Sequence, residues 1–119
     1  MARIAANRPI EVWNDLAVTR DLLHVDDMTT AILAAVDRPV DHAVLNIGTG
    51  IGTSLGELLQ LLERVVGHPI ATEVRGTAPA AIPANVLDTR KAMDVLGFRT
   101  TIPLATGLER LWLQIKGTR

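Results

Sequence analysis

The 119-residue chain has no cysteine and no tyrosine, and its aromatic residues are one phenylalanine and two tryptophans. The missing cysteines exclude disulfides, thiolate nucleophiles and Cys-ligated zinc or iron–sulfur sites together. So few aromatics make recognition of unstacked bases a poor fit. His24, His42 and His68 stand apart, none in a metal-binding spacing, and no metal site is expected. Lys and Arg total 12 against 13 for Asp and Glu, a net charge of -1, so no overall basic field draws nucleic acid. A run of about 18 uncharged apolar residues, the mark of a membrane span, is also lacking. The opening MARIAANRP is too short and too mixed for a secretory signal. A soluble, cytoplasmic protein is the expectation.

What is present suits one small folded domain over residues 1–119, with 48% hydrophobic and 21% charged residues. Residues 2–6 read as a short helix stopped by Asn7 and the Arg8-Pro9 pair. Residues 9–13 alternate as a strand, Asn14-Asp15 is a turn, and residues 22–25 form a strand or an extended approach to a helix. Asp26 or Asp27 can cap that helix, whose Met28, Ala31, Ile32, Ala35 and Val36 would face a core until Asp37-Arg38-Pro39 stops it. Residues 43–47 read as a buried strand covered on both faces. Gly48 to Gly52 form a flexible loop, and Ser54 with Glu57 a capping box opening a helix. Its stripe of Leu58, Leu61, Leu62, Val65 and Val66 runs to Gly67. Residues 69–74 should be a strand and residues 76–83 an extended loop. Asp88 can cap a short helix ending at Gly97. The last helix opens at Pro103 or Leu104, with Leu108, Leu111, Trp112 and Ile115 on one face. Gly107 weakens it but permits close packing. The expectation is an α/β piece of three or four short strands and four helices.

Several patterns bear on chemistry. The GTGIG stretch links a strand to a helix as dinucleotide loops do, but its third glycine comes one residue early and no acidic partner follows, so it reads as a plain turn. The helix beyond could attract an anion, although Glu57 takes up part of that capacity. In Arg20-Asp21, the guanidinium suits a phosphate grip oriented by the aspartate. The alternative is that Arg20 pairs with a carboxylate and Asp21 caps the turn. Asp26 and Asp27 suit a helix start better than acid–base work. His24 reads as a partly buried, hydrogen-bonded side chain, His42 and His68 as solvated turn residues, and Trp13 and Trp112 as core or interface aromatics.

Residues 19–27, TRDLLHVDD, are similar to the TRDFVHVDD signature of extended short-chain dehydrogenases/reductases, the nucleotide-sugar epimerases and dehydratases. VLNIGTG at 44–50 resembles their VFNIGTG strand and loop, and TSLGEL at 53–58 the helix start that follows. Leu87 to Ala92 with Leu96-Gly97-Phe98, and Leu104 to Trp112, resemble two later family segments in the same order. The resemblance implies a partial fold of that class: its C-terminal, substrate-side region, without the N-terminal Rossmann half. It implies that Arg20 contacts nucleotide phosphates, that Val12 and Trp13 line a base pocket, and that Asn46 arranges nearby loops. NAD or NADP is expected for a full-length member and none for this chain alone, because the Tyr-x-x-x-Lys pair and cofactor fingerprint of the family are not in it.

Two departures bear on binding. The family's YGDGSQTRD loop becomes residues 13–21, WNDLAVTRD, without the glycines, and its Arg-Pro-Gly-Asp aligns with Ala78-Pro79-Ala80-Ala81, without either charge. Arg75 is near enough in sequence to substitute. The expected function is therefore the C-terminal portion of a nucleotide-sugar epimerase or dehydratase, inactive without the missing region. The alternative is a non-catalytic remnant serving in binding or assembly. Expected partners are a nucleotide diphosphate sugar, weakly bound, and either further copies in a homo-oligomer or a missing N-terminal polypeptide.

Overall fold

Two narrow sheets and five helices carry the chain, in a computed structural model that describes residues 1–13, 15–38, 43–76 and 82–117. In order these are α1 (Ala2–Ala5), β1 (Ile10–Val12), β2 (Thr19–Asp21), α2 (Val25–Asp37), β3 (Gly52–Ser54), α3 (Leu55–Val66), β4 (Thr72–Val74), β5 (Ala84–Asn85), α4 (Arg90–Leu96) and α5 (Leu104–Gly117). β1 and β4 pair in parallel, with Val12 opposite Val74. β2 is the centre of the other sheet, antiparallel to β3 and parallel to β5.

Helix ends follow local chemistry. α1 stops where Asn7 takes φ 52°, a left-handed conformation that asparagine tolerates, just before Arg8-Pro9. The capping box at α3 is complete: Ser54 Oγ accepts from the Glu57 amide at 3.1 Å, and Glu57 Oε2 accepts from the Ser54 amide at 2.8 Å. Gly67 and Gly97 close α3 and α4 with φ 82° and 67°. Asp88 Oδ1 accepts from the Arg90 amide at 3.1 Å and so serves the first turn of α4 from one residue before its N-cap.

Other expectations need correction. Of the two readings of residues 22–25, the approach to a helix holds, with His24 extended and α2 starting at Val25, whereas the strand lies earlier, at the Thr19–Asp21 stretch itself. α2 is capped by His24, whose Nδ1 accepts from the Asp26 amide at 3.1 Å, and not by Asp26 or Asp27. Residues 43–47 form no strand, because among the described residues no other strand lies alongside to pair with them. Met28, Ile32 and Val36 are exposed, as only the Ala31 and Ala34 side of α2 meets α4. Expected turn residues Asn14 and His42, and most of the 76–83 loop, lie outside the described residues.

The core is small. Ala31, Ala92, Leu96 and Phe98 form its buried centre, with Leu23, Ala34, Leu45 and Ile47 packed around them. The chain measures 47 × 37 × 18 Å, and its radius of gyration of 16.7 Å exceeds the roughly 13.5 Å of a compact domain this long. A slab this thin cannot rely on apolar burial alone.

Two carboxylates make up part of the shortfall. Asp21, at the end of β2, accepts from the Thr49 amide (2.8 Å), the Thr49 hydroxyl (2.6 Å), the Gly50 amide (2.9 Å) and the Leu87 amide (3.3 Å). Gly48 must be glycine here, since a Cβ would lie 2.7 Å from Asp21 Oδ2. Asp27, 2% exposed, accepts from the Thr101 amide and hydroxyl (3.0 and 2.8 Å) and the Ile102 amide (3.1 Å), tying α2 to the approach of α5. Burial alone would raise both carboxyl pKa values; the hydrogen bonds outweigh it and hold both below the usual range.

Gly107 of α5 sits under the His24 ring, where an added Cβ would be 2.8 Å from Cδ2. Alanine should gain about 1 kcal/mol of helix propensity but lose more to overpacking, so Gly107→Ala is expected to destabilise by about 1–2 kcal/mol in urea unfolding. In a His24→Ala background the same change should stabilise. Acid provides a second test. Because Asp21 and Asp27 have lowered folded pKa values, their contribution is complete above the unfolded value of about 3.9 and is lost as pH falls through the folded values. The urea midpoint should hold from pH 7 to about 5 and drop below about 4, with Asp27→Asn reducing both the midpoint at pH 7 and the acid slope.

Candidate functional site

Parallel pairing of β1 with β4 brings three of the five expected site residues together. The Arg75 amide donates to the Val12 carbonyl at 2.8 Å, placing Arg75 just past the end of β4 and beside Val12-Trp13. Trp13 is 54% exposed. With Ile10, Glu11, Val12 and Leu16 it forms one wall of a groove of about 160 Å³, and Leu55, Leu58, Leu59 and Leu62 of α3 form the other. The apolar stripe of α3 thus faces a cleft as well as α5. The arrangement offers a largely apolar groove with an indole in its wall, a surface on which an aromatic ring can pack.

Arg75 is already engaged. Its guanidinium lies 2.7 Å from Glu73 and 3.6 Å from Glu11, and Glu11 is also 3.3 Å from Arg3. This exposed four-residue network is weakly stabilising, and it opposes the positive charge that Arg75 would offer a ligand.

Arg20 lies on β2. Its Nη1 donates to the carbonyls of Thr19 (2.7 Å) and Ile82 (2.9 Å), fastening the guanidinium across the entry to β5. Asp21 does not orient it, contrary to the sequence reading, because the Asp21 carboxylate is taken by Thr49, Gly50 and Leu87. Nor does Arg20 pair with a carboxylate among the described residues. Its Nε and Nη2 point to no protein acceptor there, which leaves donors for an outside anion. Asn46 is elsewhere, donating from Nδ2 to the Asp88 carbonyl at 3.3 Å. Beside it the Asp88 carboxyl is lowered to about 2 by its hydrogen bonds to Arg90. Ala78 to Ala81, where the expected charges are missing, lie outside the described residues.

Two anion-binding possibilities close. At α3, the Leu55 and Gly56 amides donate to the Val18 and Leu16 carbonyls, both at 2.9 Å, and the Glu57 amide to Ser54 Oγ. That helix start has no donors to spare for a phosphate. At the glycine loop the amides of Thr49 and Gly50 already hold Asp21, so the residues present do not fit a dinucleotide pyrophosphate. The plain-turn reading stands, with an addition that sequence reasoning missed: the loop cradles an anion from its own chain. A glycine loop with the wrong spacing for a cofactor was the available signal.

Comparison with known proteins bears on the whole arrangement. A family model described as NAD dependent epimerase/dehydratase family matches residues 1–48. A UDP-glucose 4-epimerase of Rhizobium leguminosarum bv. trifolii is 34% identical over 82% of this chain and 31% of its own length. A crystal structure of UDP-glucose 4-epimerase with UDP-glucose from Thermotoga maritima superimposes with a TM-score of 0.90 at 28% identity, over 98% of this chain and 37% of that one. The Bifidobacterium longum UDP-glucose 4-epimerase, in complex with NAD+ and UDP, gives a TM-score of 0.78 at 26% identity, over 89% of this chain and 35% of that one. The chain spans about a third of the length of the curated relatives it matches. With its motif order and its partial α/β fold, it belongs to the NAD-dependent epimerase/dehydratase family of extended short-chain dehydrogenases/reductases.

Proposed function

We propose that this chain is the nucleotide-sugar side of an epimerase or dehydratase, holding the nucleotide while another region supplies cofactor and proton transfer. The groove between Trp13 and the α3 leucines carries the reading, because it is an apolar slot at the position the resemblance assigns to a base. Likeness to epimerases determined with UDP-glucose, or with NAD+ and UDP, supports it. In this reading the base lies against Trp13 and Val12, and the Nε and Nη2 donors of Arg20, which have no acceptor among the described residues, meet the phosphates. Arg75 joins them only by leaving Glu73. Asn46 acts indirectly, by fixing the segment around Asp88.

The chain does not complete the reaction alone. Hydride transfer needs a nicotinamide, whose pyrophosphate the glycine loop cannot take, and a proton-transferring group for which tyrosine is lacking. A non-catalytic remnant is the second reading, favoured by the neutralised Arg75 and by Ala78-Pro79-Ala80-Ala81 where charges are expected.

Titration with UDP, dTDP and UDP-glucose tests the first reading. In a Trp112→Phe background the emission reports Trp13 alone and should change saturably, with Kd near 1 mM, about 4 kcal/mol of binding. Arg20→Ala should weaken binding by roughly tenfold or more, as expected for charged hydrogen bonds of about 1.5–3 kcal/mol. No saturation at ten times that concentration, or an Arg20→Ala variant that binds equally well, would leave the remnant reading. The purified chain should show no epimerisation or dehydration with NAD present, by chromatography of the sugar nucleotide; turnover would contradict the proposed division of labour.

A further inference from the structure

Leu16 is an unusual residue for its place in the chain. Residues 15–18 form a tight turn, in which the Val18 amide donates to the Asp15 carbonyl and the Ala17 amide to Asp15 Oδ1, both at 3.0 Å. Such turns favour proline or small polar residues at their centre. Here a leucine stands there, 43% exposed, and it lines the groove between Trp13 and α3.

The turn is fastened to α3. The Gly56 amide donates to the Leu16 carbonyl and the Leu55 amide to the Val18 carbonyl, both at 2.9 Å. A Cβ on Gly56 would stand 3.6 Å from that of Leu16. These contacts fix the leucine at the N-terminal end of the groove, whose α3 wall runs from Leu55 to Leu62, about 10 Å. Arg20 lies the other way, opposite Thr53 in the β2–β3 register, and the four residues that separate it from Leu16 span at most about 14 Å.

A nucleotide with its base in the groove and its phosphates on Arg20 therefore carries its pentose past Leu16. The polar groups around that crossing are engaged within the chain. The amides of Ala17, Val18, Leu55 and Gly56 are taken as above, the Thr19 hydroxyl donates to the Ala17 carbonyl at 3.1 Å, and the Ser54 hydroxyl donates to Glu57 Oε2 at 2.7 Å. A pentose hydroxyl held against the leucine meets hydrocarbon and no spare donor from these groups, and a hydroxyl taken from water without a partner is costly. Ribose brings one more such hydroxyl than deoxyribose.

We infer that Leu16 selects the pentose: the site takes a 2′-deoxyribonucleoside diphosphate in preference to its ribonucleoside counterpart. The inference rests on the nucleotide reading of the groove and adds to it the class of nucleotide.

Titration with dUDP against UDP isolates the effect, because the two share base and diphosphate and differ by one hydroxyl. Followed by Trp13 emission in the Trp112→Phe background, dUDP should bind about fivefold tighter than UDP, since water reaching the half-exposed Trp13 side softens the cost of an unpaired hydroxyl. Leu16→Ser supplies a hydroxyl at the crossing and should bring the ratio near one, chiefly by tightening UDP. Leu16→Ala, which lets water in, should lower the ratio as well. Arg20→Ala should weaken both nucleotides alike and leave the ratio unchanged. Equal binding, or a preference for UDP, would overturn the inference while leaving the nucleotide reading intact; so would a dUDP preference that neither Leu16 substitution alters. Binding of neither nucleotide would remove the nucleotide reading and this inference with it. The ratio for the unsubstituted Leu16 chain is decisive even where a Leu16 variant fails to fold.

Discussion

The carboxylate of Asp21 is the interaction on which the rest of this structure hangs. It ends the central strand β2 and draws in the amides of Thr49, Gly50 and Leu87, so one side chain fixes the glycine loop and the approach to α4. A neutral amide in its place would offer one acceptor oxygen and two unwanted donors. Because the loop curls around that charge, β3 emerges in register with β2 and α3 starts where its cap can form. The missing Cβ of Gly48 and the φ of 73° at Gly50 are conditions for the close approach.

Asp27 repeats the device, joining α2 to residues 101–102, which line one cavity with Thr49 of the first cluster. Both acids follow from the same shortage. With so little apolar volume between layers, distant segments are fixed by charge-assisted hydrogen bonds, which carry direction as well as energy. The two neighbouring aspartates of α2 divide the work by helical rotation alone: one step of about 100° turns Asp26 to solvent and Asp27 inward.

What could be read from the sequence was local. The capping box, the glycine stops at 67 and 97, the break at Arg8-Pro9 and the close packing at Gly107 depend on near neighbours or on one missing side chain, and they are present. The roles of Asp21, Asp27 and His24 as tertiary struts and cap were not legible, since their partners lie far away in sequence or compete with an equally plausible neighbour. The strand at 43–47 illustrates the limit most clearly. Its pattern specifies an extended apolar segment, but a strand is a relation between two segments, and no described residue supplies the second. The site divides the same way: Val12, Trp13 and Arg75 meet through a sheet pairing that no local pattern announces, while Arg20 had its expected role from its own chemistry as well as from the resemblance to the epimerases, and Asn46 from the resemblance alone.

The 18 Å thickness of the slab has a thermodynamic corollary. The heat-capacity increment of unfolding grows with the apolar area that becomes hydrated, and a molecule this thin has less to expose than a rounder one of equal length. Its free-energy curve against temperature is correspondingly flat: a low, broad dome on which cold and warmth matter less than whatever covers its faces.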